Sequence, residues 1–298
     1  MRKSLTHYAI LLLTALWLLQ PMRANAWTTH IDCEGGTLGL NVLQNLLNTF
    51  TVVFTKTIYT NEQVGTGSQS CKMGITQGSD GWSEWGAIYK FPSNLNVGSQ
   101  LWARVSLYVP AGFNYTASPW LKFMRIHTAS PSNTNQGYLD LYINPPTGTV
   151  WDGALNKDVS APYSFYYEGK PLVRTLGTRP ANDIAFGQWE TYEIYYKLDT
   201  VSKAAGGTGE IRIWKNNQLL ADLTDQTTLV DAQTFAESLF LFTYWNANAP
   251  ATQSLYVDDV IVTSDTPSNR DAAGNPFIGA PVVSTKAPPM PPGNVIAH

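Results

Sequence analysis

The residues best placed to do chemistry are Arg125 and His127, separated by Ile126. In an extended chain, positions i and i+2 share a face, so this arginine and histidine point together. His30 lies near the start of the exported chain and His298 is its last residue, so His127 is the one histidine deep in the sequence. Further on, Asp140, Tyr142 and Asn144 alternate with Leu139, Leu141 and Ile143. A hairpin through the polar stretch 129–137 would gather Arg125, His127, Tyr142 and Asn144 on one surface. That set suits β-elimination from a uronic acid. A cation or amide neutralises the substrate carboxylate, His or Tyr takes the α-proton, and Tyr protonates the leaving oxygen. The plainer reading of the same residues is a hydrogen-bonded surface pair.

A second chemistry is sugar binding without cleavage. Aromatic rings stack on the apolar faces of sugars while polar groups hold the hydroxyls. Trp102, Tyr108, Trp214, Tyr244 and Trp245 are candidates, with Arg104 beside Trp102 and Arg212 beside Trp214 at i+2 spacing. Any single tryptophan suits the core at least as well. A third class, a structural surface or matrix protein, would need neither site.

The elements that must position these residues read as strands. Residues 101–109 alternate strictly, with the odd positions apolar, and Pro110 ends the run. The same period recurs in 192–198 and in 210–214, the latter turning at Lys215-Asn216-Asn217-Gln218 into Leu219-Leu220. Residues 85–91, 120–128, 138–144, 239–246 and 255–262 are further strands. Leu43, Leu46, Leu47 and Phe50 have the spacing of a short helix, or of a strand and a loop. So many strands without alternating helices predict an all-β fold, an antiparallel β-sandwich. One domain over 27–265 follows, with 266–298 an extended tail ending in a proline-rich run.

Composition narrows the functional classes. Of 298 residues only 14% are charged, while 12% are aromatic. Such a chain is neither a disordered tail nor a coiled coil. The basic residues Arg2 and Lys3, the apolar run Tyr8 to Leu19 and Ala24-Asn25-Ala26 form a secretory signal over 1–26. Past it, 16 Lys+Arg stand against 22 Asp+Glu. The overall field therefore repels anions, which argues against nucleic acid as a partner. An acidic ligand would have to be held by local cations. The protein is expected to be secreted or periplasmic, off the membrane after cleavage, and monomeric. Cys33 and Cys71 are the only cysteines, and in an oxidising compartment they are expected to pair. No organic cofactor motif, phosphate loop or paired-carboxylate hydrolase strand occurs.

Three segments carry a resemblance. These are His30-Ile31-Asp32-Cys33-Glu34-Gly35-Gly36, the run from Gly98 to Pro110, and Leu255-Tyr256-Val257-Asp258-Asp259-Val260-Ile261-Val262. Together they resemble secreted concanavalin A-like jelly-roll proteins of carbohydrate metabolism, a group that includes polysaccharide lyases. The resemblance implies a jelly-roll sandwich and an extracellular polysaccharide partner. Jelly-roll alginate lyases carry a Gln-Ile-His strand, to which Arg125-Ile126-His127 is similar. It also implies a structural calcium ion where an acidic first strand meets an acidic last strand, here Asp32, Glu34 and Asp259.

Overall fold

A computed structural model describes residues 26–114 and 120–280. The signal segment and the proline run at 288–292 lie outside them. Seventeen strands follow in chain order. The first six are β1 (Thr28–Ile31), β2 (Val52–Val53), β3 (Thr57–Thr60), β4 (Ser70–Ile75), β5 (Ala87–Leu95) and β6 (Gln100–Tyr108). Next come β7 (Leu121–Ala129), β8 (Asn135–Ile143), β9 (Val150–Asp152), β10 (Lys157–Val159), β11 (Tyr163–Tyr167) and β12 (Val173–Leu176). The last five are β13 (Trp189–Lys197), β14 (Glu210–Lys215), β15 (Gln218–Leu223), β16 (Phe235–Leu241) and β17 (Gln253–Thr263).

Fifteen of them form two antiparallel sheets, the expected jelly-roll sandwich, and β9 and β10 pair apart from these as a two-stranded hairpin. One runs β15-β14-β13-β6-β17-β4-β3, with β1 paired to β17. The other runs β12-β11-β8-β7-β16-β5-β2. Strands distant in sequence are neighbours, as in β6 beside β17, so the sandwich is closed by long-range pairing. The apolar half of each alternation faces inward. Val105, Leu107, Ile194 and Val257 from the first sheet meet Phe123, Ile126, Leu141 and Leu239 from the second in one continuous core. Burial of that core is the main stabilising term.

The cysteines pair as expected, Cys33 with Cys71 at a Cα separation of 5.6 Å. The bridge ties the segment after β1 to β4. The spacing of Leu43 to Phe50 does not produce a helix. Asn45 and Asn48 adopt positive φ, a left-handed conformation that breaks a helix, and the chain turns there instead. Only Phe50 is buried, while Leu47 is 91% exposed. Strand β16 stops before the expected 246 because Phe242 has φ 51°. Its carbonyl carbon would lie 2.8 Å from a Cβ added to Gly86, so glycine is required where β5 begins.

The tail from 266 is not extended over its described part. Residues 269–279 double back through a bridge between Arg270 and Pro276 and lie on the first sheet. The Trp102 indole donates to the Pro276 carbonyl at 3.0 Å, and the Trp214 indole donates to Asp271 at 2.9 Å. The Ile278 and Gly279 amides donate to the Glu193 carboxylate. Phe277 completes a small separate cluster with Trp102, Tyr195 and Trp214.

Candidate functional site

The second sheet presents its outward side chains as a grid. Strands β7 and β8 pair as the expected hairpin, with His127 opposite Tyr138, Arg125 opposite Asp140 and Lys122 opposite Tyr142. Strand β11 extends two rows, Tyr166 beside Asp140 and Ser164 beside Tyr142. On the other side β16 places Phe240 beside Arg125 and Ser238 beside His127.

Arg125 is the centre of the grid. Its Nε donates to Asp140 Oδ1 at 2.6 Å and its Nη2 to Glu168 Oε1 at 2.9 Å. Its guanidinium lies 3.8 Å from the centroid of the Tyr138 ring. Burial opposes the charge, but Asp140 and Glu168 outweigh it and hold the arginine above its usual range. Asp140 is completely buried, which pushes its carboxyl up to about 6 against the pull of Arg125. The Tyr142 hydroxyl donates to Asp140 Oδ2 at 2.8 Å. Burial and that carboxylate drive the phenol far above its normal range.

His127 stands one row further along. Its Nδ1 is 2.9 Å from Glu237 Oε1 and its Nε2 is 3.2 Å from Asn135 Oδ1. Its ring lies 4.8 Å from that of Tyr138, centroid to centroid. Glu237 and Asn135 hold the ring from its two nitrogens and so orient it. Tyr138 stays protonated, its phenol raised first by burial. Lys122 lies 4.9 Å from the centroid of the Tyr244 ring and 3.8 Å from Glu168. Burial, then the neighbouring Arg125, lowers its ammonium.

Arg125, His127, Tyr142 and Tyr244 are therefore brought to one face. Tyr142 is 3% exposed beneath Trp120, whose ring stacks on it at 5.5 Å and 10°. Asn144 is not part of that open face. It lies just past β8, buried, bonded to the Ala161 carbonyl and the Ser164 hydroxyl. Trp245 is a core residue packed on Trp85. The remaining aromatic and arginine candidates belong to the opposite sheet. Trp102 and Trp214 are each 1% exposed, because residues 269–279 cover them. Arg212 is tied to Glu210 and Asp222, and Arg104 is buried opposite Glu193. Tyr108 packs between Trp189 and Tyr256. In this arrangement the two tryptophans are closed to a sugar.

The acidic residues of the first and last strands meet beside residues 66–69. Glu34 accepts from the Ser68 and Gln69 amides and the Ser68 hydroxyl. Asp259 binds His30 and Thr66, while Asp32 accepts from the Glu34 amide. Among the described residues no group of three or more His, Cys, Asp or Glu could hold a metal ion.

Lys122, Tyr138, Tyr166, Glu168 and Glu237 complete the face and were not singled out from the sequence. The hairpin register would have found Tyr138, since it is the i−2 neighbour of Asp140.

The sequence matches no protein-family model and no curated protein. Its structure is similar to alginate lyase Aly36B, with 14% identity, 79% of this chain and 96% of that chain covered, and a TM-score of 0.52. It is similar to an endo-β-1,4-glucuronan lyase from the fungus Trichoderma reesei, with 12% identity, 76% and 95% covered, and a TM-score of 0.51. It is also similar to a marine PL-14 alginate lyase from Aplysia kurodai, with 10% identity, 80% and 99% covered, and a TM-score of 0.54. A mutant of Aly36B in that group holds an alginate trisaccharide. At these identities the likeness concerns architecture: the chain has the jelly-roll fold of polysaccharide lyases.

Proposed function

We propose that this protein is secreted and cleaves a uronate-containing polysaccharide by β-elimination on the outer face of its second sheet. One observation carries the reading: His127, Tyr138 and Arg125 are immediate neighbours there, so base, acid and cation share one small area. Lys122 holds the substrate carboxylate, and the positive field of Arg125, buried beneath Tyr138, helps to stabilise the charge that develops as the α-carbon is deprotonated. His127 is the base: with Nδ1–H donated to Glu237, Nε2 turns from the Asn135 oxygen, which only a donor can face, to take that proton. The electron pair forms the ring double bond and the glycosidic C–O bond breaks. Tyr138 gives its proton to the departing oxygen and is later reprotonated by water. The tyrosines Tyr166 and Tyr244 offer flanking ring surface.

The test is a polysaccharide panel of alginate, polyglucuronate, pectate and glycosaminoglycans, read by ultraviolet absorbance of the unsaturated product. Activity on at least one polymer is expected, and His127→Ala should lower it by a factor of roughly 100 or more. An active His127→Ala variant would sink the assignment. Binding without cleavage is the second reading. It is favoured by the two carboxylates that already engage Arg125, and it predicts retardation in polysaccharide gels with no absorbing product.

A further inference from the structure

A cavity of about 230 Å³ adjoins the face just described and has a different character. Its walls include Trp120, Asn144, Thr147, Thr149, Trp151 and Ala161, and no ionisable residue lines it. Charged groups crowd the grid, where Lys122, Arg125, Asp140 and Glu168 are linked. The two regions are continuous. Trp120 stacks on Tyr142, and Asn144 lies two residues beyond Tyr142, about 7 Å along the strand direction.

The cradle is held in place. Strand β9 alternates, with Val150 and Asp152 buried and Trp151 between them 49% exposed. Asp152 pins the hairpin by accepting from the Thr175 amide and hydroxyl, each at 2.7 Å. Arg179 donates to the carbonyls of Pro145 and Ala161, fixing both ends of the loop region around the cavity. A large indole is thus kept half-exposed at a rim by an anchored element. It shares the cavity wall with the Trp120 indole, so the two form one aromatic surface rather than a lone exposed side chain. The volume is below the roughly 300 Å³ at which whole-ligand pockets begin, and it suits one ring of a longer chain.

We propose that the Trp120–Trp151 cavity is a subsite for an uncharged sugar unit, so that the substrate is a heteropolymer in which neutral sugars flank the uronate. Two indoles supply stacking surface, and Thr147 and Thr149 supply hydroxyls for neutral sugar groups. A carboxylate placed there would lose water and meet no cation. The substrate class rests on the lyase or binding reading above; the subsite rests only on the cavity.

Affinity gel electrophoresis separates the two. The probes are a glucuronate–rhamnose copolymer, a pure polyglucuronate and a neutral glucan. The proteins are the full chain, Trp151→Ala, and Trp82→Ala as an exposed-tryptophan control that packs on Phe54 and does not line the cavity. The copolymer should retard the full chain and Trp82→Ala alike, with about tenfold weaker affinity for Trp151→Ala. On polyglucuronate, Trp151→Ala should match the parent. Equal affinity of Trp151→Ala and parent on the copolymer would overturn the subsite, and so would equal losses on the copolymer and polyglucuronate. Retardation by the glucan alone, lost in Trp151→Ala, would uphold the subsite and remove the uronate reading. Retardation by none of the three would overturn the subsite.

Discussion

At the scale of single residues, the ion pair beneath the site decides how the face holds its shape. Arg125 and Asp140 are both essentially out of solvent, and each needs the other. Replacing Asp140 with Asn leaves a buried guanidinium short of a charge partner, which should cost about 3–5 kcal/mol in urea unfolding. A loss below about 1 kcal/mol would show that Glu168 alone suffices. Glu237 acts through His127. Glu237→Gln weakens the contact that fixes the ring, so kcat should fall about tenfold with little change in KM. An unchanged kcat would deny it that role. Alternation made Arg125, His127, Asp140 and Tyr142 legible as one face, because those residues obey the period of 2. Lys122 was not legible. It lies three residues from Arg125, which in a regular strand means the opposite side. A bulge between Lys122 and Met124 absorbs the extra residue, so Phe123 and Met124 both enter the core and Lys122 turns outward. Glu237 is hidden in the same way, at a bulge between Ala236 and Ser238.

At the scale of elements, the strap over 269–279 settles what the first sheet can do. Its grip combines the packing of Phe277, 5.9 Å from Trp214, with indole hydrogen bonds to Pro276 and Asp271 and backbone amides donated to Glu193. Phe277→Ala should cost about 2–3 kcal/mol and red-shift the tryptophan emission as Trp102 and Trp214 meet water. If the emission stays fixed, the backbone contacts hold the strap without the ring. Strand patterning placed Trp102 and Trp214 correctly on an outward face. What covers that face could not be read from the same pattern, because 266–280 has no periodicity and owes its position to contacts with residues far away in sequence. The long central strands were legible for the opposite reason, their alternation running over about nine residues. Short edge strands such as β2, β9 and β10 carry two or three residues each, too few for a period to show. The cavity wall at Trp151 is built from one of them.

At the scale of the whole molecule, the first sheet buries carboxyls whose ionisation opposes folding. Burial pushes Glu193 up to about 7, against the pull of two amides and Arg104. Burial and the adjacent Asp259 push Asp258 to about 7. In the unfolded chain these acids release their protons near pH 4. Between pH 4 and 7 the folded protein therefore holds protons that the unfolded chain has lost, and stability falls as pH rises through that window. His30 acts in the same direction. Its hydrogen bond to Asp259 raises it above 6.5, giving stability that is present below that value and lost as pH climbs past the folded one. Groups of the opposite sign, such as Glu84 at about 2, have finished titrating by pH 5. Thermal unfolding should thus occur at its highest temperature near pH 5 and at progressively lower temperatures toward pH 8. Glu193→Gln removes one contributor while keeping the side chain's shape, so its curve should be flatter than the parent's between pH 5 and 7. A parent curve that is level or rising over that range would mean that these carboxyls are ionised in the folded protein at little cost, with Arg104 and the backbone amides that face them compensating in full.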